Sequence, residues 1–348
     1  MEAQRLLELI VIRLRPSLRT AITETMDKRV LLAATAVVVA IALYVGRRSD
    51  EAVPYPDPSR EVRHVIPWRA GGGTDAAMRG FMSHFERHLG VRVVTENVPG
   101  GLSSVGLTRV QNARPDGYTI GTMTYDALSV EILGLAPVSW RSFEPVCMVT
   151  DHPSALIVPG ASWEDPEAFR AAAAAAPGEV TVGNVGMRGI WHQHAAAMEQ
   201  AMGIELLHVP YEGGSGPQLA AILGGEVDAI VSSLPAAMPY VEDGSLKVLA
   251  IMAQERSELV PEVPRFLEYG YELEYSGFRI LVVPGETPPE VIAVLALACR
   301  ETAEDREYRA WAAEAGIGAS WKDRVGTIEH LEDLAPKVEA LMARLSER

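Results

Sequence analysis

Hydrophobic and polar positions fall into two alternating rhythms from residue 60 onward. Val62 to Ile66 is a short, mostly apolar run rich in β-branched residues, and it predicts a strand. Pro67 to Gly73 reads as a turn, after which Met78, Phe81, Met82, Phe85 and Leu89 recur at the spacing that places them on one helix face. Val91 to Thr95 predicts a second strand, Pro99-Gly100-Gly101 a turn, and Pro115-Asp116-Gly117 a turn ahead of the strand Tyr118 to Met123. Strand, loop and amphipathic run in repetition is the pattern of an α/β protein with mostly parallel sheets.

An internal echo predicts where such a chain divides. Ser154 to Phe169 (SALIVPGASWEDPEAF) is matched by Phe278 to Ile292 (FRILVVPGETPPEVI), each an apolar strand, Val-Pro-Gly, then an acidic, Pro-containing helix start. Two crossings between two lobes would produce this. On that reading lobe 1 is residues 60–155 plus 284–348 and lobe 2 is residues 156–283, in keeping with a 348-residue chain that is long for one domain.

The front of the chain follows a different rule. Val30 to Gly46 carries no charge, follows Asp27-Lys28-Arg29 and stops at Arg47-Arg48, which predicts an export signal or a transmembrane anchor. Ala40-Ile41-Ala42 offers small residues for cleavage, but Leu43 to Val45 continue the apolar run, so an uncleaved tether is favoured. Arg13, Arg15, Arg19, Lys28 and Arg29 precede the span, leaving the start inside and the long remainder outside, although Arg47-Arg48 weakens the asymmetry. Residues 1–29 read as a cytoplasmic or mis-started extension, since a chain beginning at Met26 opens as a conventional signal, and residues 47–59 read as a linker.

Charge and cysteine narrow the function classes. A formal charge of -15, with no Lys/Arg-rich stripe after Arg48, argues against nucleic acid as a partner. The same field repels small anions, so an anionic ligand would need local donors. Cys147 and Cys299 lie far apart in a strand and a helix without metal-ligand spacing, and read as two buried thiols rather than a disulfide.

Candidate chemistry concentrates in two glycine loops. In Trp68-Arg69-Ala70-Gly71-Gly72-Gly73-Thr74-Asp75, glycines between a strand and a helix let backbone N–H groups converge where the helix dipole favours an anion. Arg69 could add a charge-assisted bond, and Thr74 or Asp75 is expected to cap the helix. Asn184, Gly186 and Gly189 form a similar loop after the strand Val180 to Gly183, with a helix from Trp191. Tyr125, Gly213, Ser232 and Ser233 lie at other predicted strand ends, where open α/β sheets bind ligands.

Enzyme signatures fail. Pro217 breaks the G-x-S-x-G elbow at Gly213 to Pro217, and Gly101 to Gly106 has P-loop spacing but lacks the lysine. His192 and His194 stand two apart on a helix and do not chelate together; they read as surface or partly buried, and Met198 and Met202 as core. No catalytic group, metal or cofactor is expected.

These stretches together resemble the substrate-binding receptors of tripartite tricarboxylate transporters, the Bug family. The resemblance is carried by PW-x-AGGG-TD, VVTENVPGG (Val93 to Gly101), A-x-PDGYT-I (Ala113 to Ile120), HVPYEGG (His208 to Gly214), the run Leu223 to Ala250 and VPGETPPEVI, and it extends from about Val62 to Gly316. It implies a periplasmic-binding-protein-like fold of two α/β lobes with a hinge and central cleft. It also implies a small di- or tricarboxylate, acidic amino acid or aromatic acid held by backbone donors, and a membrane permease of one large and one small subunit as partner. Trp68, Arg69 and Ala70, and Met187-Arg188 with Trp191, depart from the family pattern and leave ligand identity open. A membrane-tethered sensor and an α/β enzyme gripping a phosphate are the competing expectations.

Overall fold

The computed structural model describes residues 55–211, 215–317 and 320–346. The extension at 1–29, the span at 30–46 and Gly213 lie outside the described residues. Among the described residues no helix is long and apolar enough to cross a membrane.

Strand β1 (Val62–Ile66) buries Val62, Val65 and Ile66, and α1 (Gly73–Leu89) follows the glycine turn. All five periodic residues of α1 are buried, and Phe81 stacks on Phe85 at 5.7 Å between ring centroids. Next come β2 (Val93–Asn97), α2 (Ser104–Gln111), β3 (Thr119–Thr124) and α3 (Ala127–Val130). The long β4 (Phe143–Pro159) leads into α4 (Pro166–Ala175), β5 (Thr181–Val185), α5 (Ile190–Met202), β6 (Leu207–Tyr211) and α6 (Ser215–Leu223). Then β7 (Ala229–Ser233), α7 (Leu234–Glu242), β8 (Leu246–Ile251), β9 (Ser276–Pro284), α8 (Pro289–Glu304), α9 (Arg306–Glu314) and α10 (Arg324–Ser346) complete the order.

The strands run in the order β2-β1-β3-β9-β4-β7-β5-β6, with β8 also on β4. Pairing is parallel within β1, β2 and β3 and within β5, β6 and β7, but antiparallel wherever β4 or β9 takes part. The expectation of mostly parallel sheets is therefore corrected. Strand β4 serves two strand groups: Phe143 to Pro153 pairs with β9, and Ser154 to Pro159 pairs with β7 and β8. The two Val-Pro-Gly exits of the echo sit at the C-terminal ends of β4 and β9, and because the strands are antiparallel, Pro284 lies opposite Phe143.

Helices cover both faces of each group. Phe81, Phe85, Leu295 and Tyr308 pack on one face of the first group and Val110, Leu331, Leu334 and Val338 on the other. Met198, Met202 and Phe169 cover one face of the second group, and Leu219, Ile222 and Ala237 the other. Truncating such a side chain as Phe81 to Ala would cost about 3–5 kcal/mol.

Two expectations are overturned here. Cys147 on β4 and Cys299 on α8 form a disulfide, because the helix lies across the strand in one core although 152 residues separate them in sequence. Nor are residues 55–59 a free linker. Tyr55 packs edge-on against Tyr118 and donates to the Gly117 carbonyl at 2.9 Å, and the Asp57 amide donates to the Tyr118 hydroxyl at 2.6 Å.

Candidate functional site

Loop one runs from Pro67 to the N-cap Gly72. Gly71 takes a φ of +82°, a left-handed conformation that glycine adopts without a Cβ penalty. Neither Thr74 nor Asp75 is the cap, and Gly72 makes no side-chain cap bond. Asp75 does a different job from inside the first turn. Its Oδ2 accepts the Gly71 amide at 2.9 Å, and its Oδ1 accepts Arg79 Nε and Asn97 Nδ2, each at 2.8 Å. Burial acts to raise the Asp75 carboxyl, yet these bonds hold it below the usual range. With both oxygens engaged, Asp75 braces the loop.

The bracing leaves a defined set of donors. Among the described residues no acceptor takes the Gly73, Thr74 or Asp75 amides, the groups that the first turn of any helix leaves unpaired. Asn97 Nδ2 also holds the Trp68 carbonyl at 3.0 Å, and the Trp68 indole donates to Thr124 Oγ1 at 3.1 Å. Trp68 is thereby fixed to β2 and β3, while Arg69 and Ala70 are exposed.

A residue that sequence reasoning missed sits beside these amides. Arg279 on β9 lies directly across from Thr124 on β3 and Thr150 on β4. Its Nη1 donates to Thr150 Oγ1 at 3.2 Å, and Nη2 lies 3.6 Å from where a Cβ on Gly73 would stand. Its Nε is shielded from solvent and has no acceptor, and no carboxylate comes within ion-pair distance among the described residues. Burial drags the guanidinium down to about 10. Neighbouring His152 is pulled down to about 3 by burial and by Arg279, so it stays neutral and adds no second positive charge. The available signal was a lone charge within the apolar run Phe278 to Val283.

Loop two is arranged differently. Gly189 is the N-cap of α5, and a Cβ there would stand 2.6 Å from the Val185 carbonyl, so the turn has no room for a side chain. The first amide of α5, that of Ile190, is already taken by Asp126 Oδ1 at 3.0 Å. Burial pushes the Asp126 carboxyl up to about 6, and the Ile190 bond only partly opposes that. Tyr125 is fully buried, and its hydroxyl donates to Gln193 Oε1 at 3.2 Å; Gln193 Nε2 donates to Ser129 Oγ at 3.2 Å and the Arg188 carbonyl at 2.8 Å.

The remaining candidates divide between interior and strand end. Trp191 is buried in the core of the second strand group, 5.8 Å from the His194 ring. Asn184 is buried, with Nδ2 on the Val182 carbonyl and His208 Nδ1 and with Oδ1 unpartnered. Gly186, with φ +68°, turns the chain out of β5. Ser232 Oγ is buried without a partner, and Ser233 precedes α7 without a cap bond. His192 and His194 are both buried, which corrects their reading as surface or partly buried: His192 faces His208 at 4.7 Å, and His194 Nδ1 meets Ser154 Oγ at 2.7 Å.

Two other clusters carry no such chemistry. His84, Asp305 and Glu307 come close enough to chelate, but Arg87 already lies between them, 2.6 Å from His84 Nδ1 and 2.7 Å from Glu307. A cavity of about 730 Å³, lined by Met187, Arg188, His192, Glu199 and His208, opens beside loop two without touching loop one.

Comparison with known proteins supplies the frame for this geometry. BugT of Bordetella pertussis is 30% identical over 244 residues, 68% of this chain and 74% of its own length. A TctC solute-binding protein from Polaromonas, solved without ligand, superposes with a TM-score of 0.72 at 28% identity, covering 82% of this chain and 99% of the other. An R. palustris protein solved with adipate shares the fold at TM-score 0.69 and 24% identity, over 83% and 96% of the two chains. The sequence pattern of the tripartite tricarboxylate transporter family receptor matches residues 78–346, so the chain belongs to that family of solute-binding receptors.

Proposed function

We propose that the chain is an extracytoplasmic receptor that closes around a small carboxylate-bearing molecule and passes it to a tripartite tricarboxylate-type permease. The observation that carries the reading is the first turn of α1, where the Gly73, Thr74 and Asp75 amides have no acceptor among the described residues while Asp75 and Asn97 hold the loop in place. An oxyanion satisfies such donors and the helix dipole together. The adipate held by the R. palustris relative is a ligand of this class.

Closure has a physical route. The two strand groups would act as lobes, hinged where β4 changes partners at Pro153 and Ser154 and where the chain enters β9 at Tyr275 and Ser276. The second lobe would bring the Trp191 and His192 amides, Asn184, Gly186, Gly189, Ser232 and Ser233 towards the ligand, with residues 30–46 directing export. No covalent step is required.

A thermal-shift screen of the full chain against adipate, citrate, glutamate and benzoate tests the reading. A ligand at about 100 times its Kd adds roughly 2.7 kcal/mol, a rise of several degrees. Absence of any shift with all four acids, and of any heat on titration at millimolar concentration, would sink it.

A further inference from the structure

Arg279 is a cation placed where folding alone gives no reason for one. Its Nε is sealed from water without an acceptor, its single bond goes to the neutral Thr150 hydroxyl, and no acidic side chain compensates it among the described residues. A half-buried guanidinium whose Nε is shielded without an acceptor costs stability, and a cation retained under that cost points to an anionic ligand. Its Nη2 borders Gly73, the residue whose amide opens the donor set of loop one.

We propose that Arg279 is the charge-bearing contact of the ligand site, completing with the Gly73, Thr74 and Asp75 amides a pocket for one fully ionised carboxylate. This rests on the receptor reading above and adds a selectivity to it. Three amides alone donate to any acceptor oxygen, including an amide or ester carbonyl. A planar guanidinium beside them favours a planar anion able to take two parallel N–H bonds. The selected class is therefore the carboxylate anion, and the neutral carboxamide of the same shape is rejected. The Thr124 and Thr150 hydroxyls flank Arg279 across the two neighbouring strands, and the Trp68 indole bonded to Thr124 holds one wall of the pocket.

The test is calorimetric titration of the full-length parent chain, Arg279→Gln and Arg279→Lys with adipate, citrate, glutamate and benzoate, and with adipamide and benzamide as neutral counterparts, alongside unliganded melting curves. For each acid that the parent binds, Arg279→Gln is expected to weaken binding roughly 10- to 100-fold and to abolish discrimination against the amide. Arg279→Lys should retain most of the discrimination. The unliganded Arg279→Gln chain should melt at or above the parent temperature, because a shielded N–H without an acceptor has been removed from a half-buried cation. Equal affinity of parent and Arg279→Gln for an acid the parent binds overturns this inference and leaves the receptor reading standing. A lower melting temperature in both variants with equal loss of binding assigns Arg279 a structural role and likewise overturns it. A parent that binds none of the four acids removes the receptor reading and this inference together.

Discussion

Asp126 places Oδ1 3.0 Å from the amide of Ile190, so the first donor of helix α5 is satisfied by a carboxylate of the chain itself. The bond joins the end of β3 to the start of a helix 64 residues further on, in the other strand group. The two glycine loops are thus inequivalent: loop one presents free amides beside a cation, and loop two is partly filled from within.

That relationship predicts a pH dependence. Burial raises the Asp126 carboxyl in the folded chain from 3.8 to about 6, so between those values the folded state holds more protons than the unfolded state. Stability therefore falls as pH rises from about 4 to 6 and is flat above, a contribution of roughly 3 kcal/mol. Asp126→Asn keeps an acceptor for Ile190 and removes the charge. Urea melts of parent and variant across pH 4 to 8 should show the variant gaining relative to the parent as pH rises, and a difference that does not vary with pH would contradict the assignment.

The Cys147–Cys299 bridge predicts sensitivity to reductant. It closes a loop of 152 residues, for which roughly 2–5 kcal/mol is the expected range. Adding dithiothreitol, or substituting both cysteines by serine, should lower the urea midpoint by a corresponding amount. Two thiols titratable in the unreduced, unfolded chain would show that no bridge exists.

Gly80 predicts a strict packing limit. A Cβ at this position would fall 1.8 Å from the Trp311 ring, which lies against the helix backbone. Gly80→Ala should destabilise the chain by about 1–3 kcal/mol despite the better helix propensity of alanine. Combining it with Trp311→Ala should recover part of the loss; a neutral or stabilising Gly80→Ala alone would refute the close approach.

What the sequence disclosed was whatever depends on neighbours along the chain. The period of Met78, Phe81, Met82, Phe85 and Leu89 announced α1, β1 falls at Val62 to Ile66 as its β-branching required, and the glycines of loop one marked the turn before a helix. Strands β2 and β5 shifted by a residue or two, because apolar runs fix strand ends poorly where ladder partners decide them. What stayed hidden depends on contacts between distant segments. Cys147 meets Cys299, Asp126 meets Ile190, and Arg279 reaches the Gly73 turn from more than half the described chain away. Asp75 illustrates the middle case: its place in the first turn was legible, but the reach of its side chain back to Gly71 and across to Asn97 required β2 alongside.

The place of β9 between β3 and β4 has a consequence for folding. Along the polypeptide, β3 and β4 come early yet have no edge to share, and the strand that joins them comes only after the whole β5 to β8 segment. The first half of the sheet must wait, unfinished, for the last third of the chain, whereas the later half can zip up from local pairings. Arg279 lies on that joining strand, so the proposed carboxylate pocket depends on this long-range pairing.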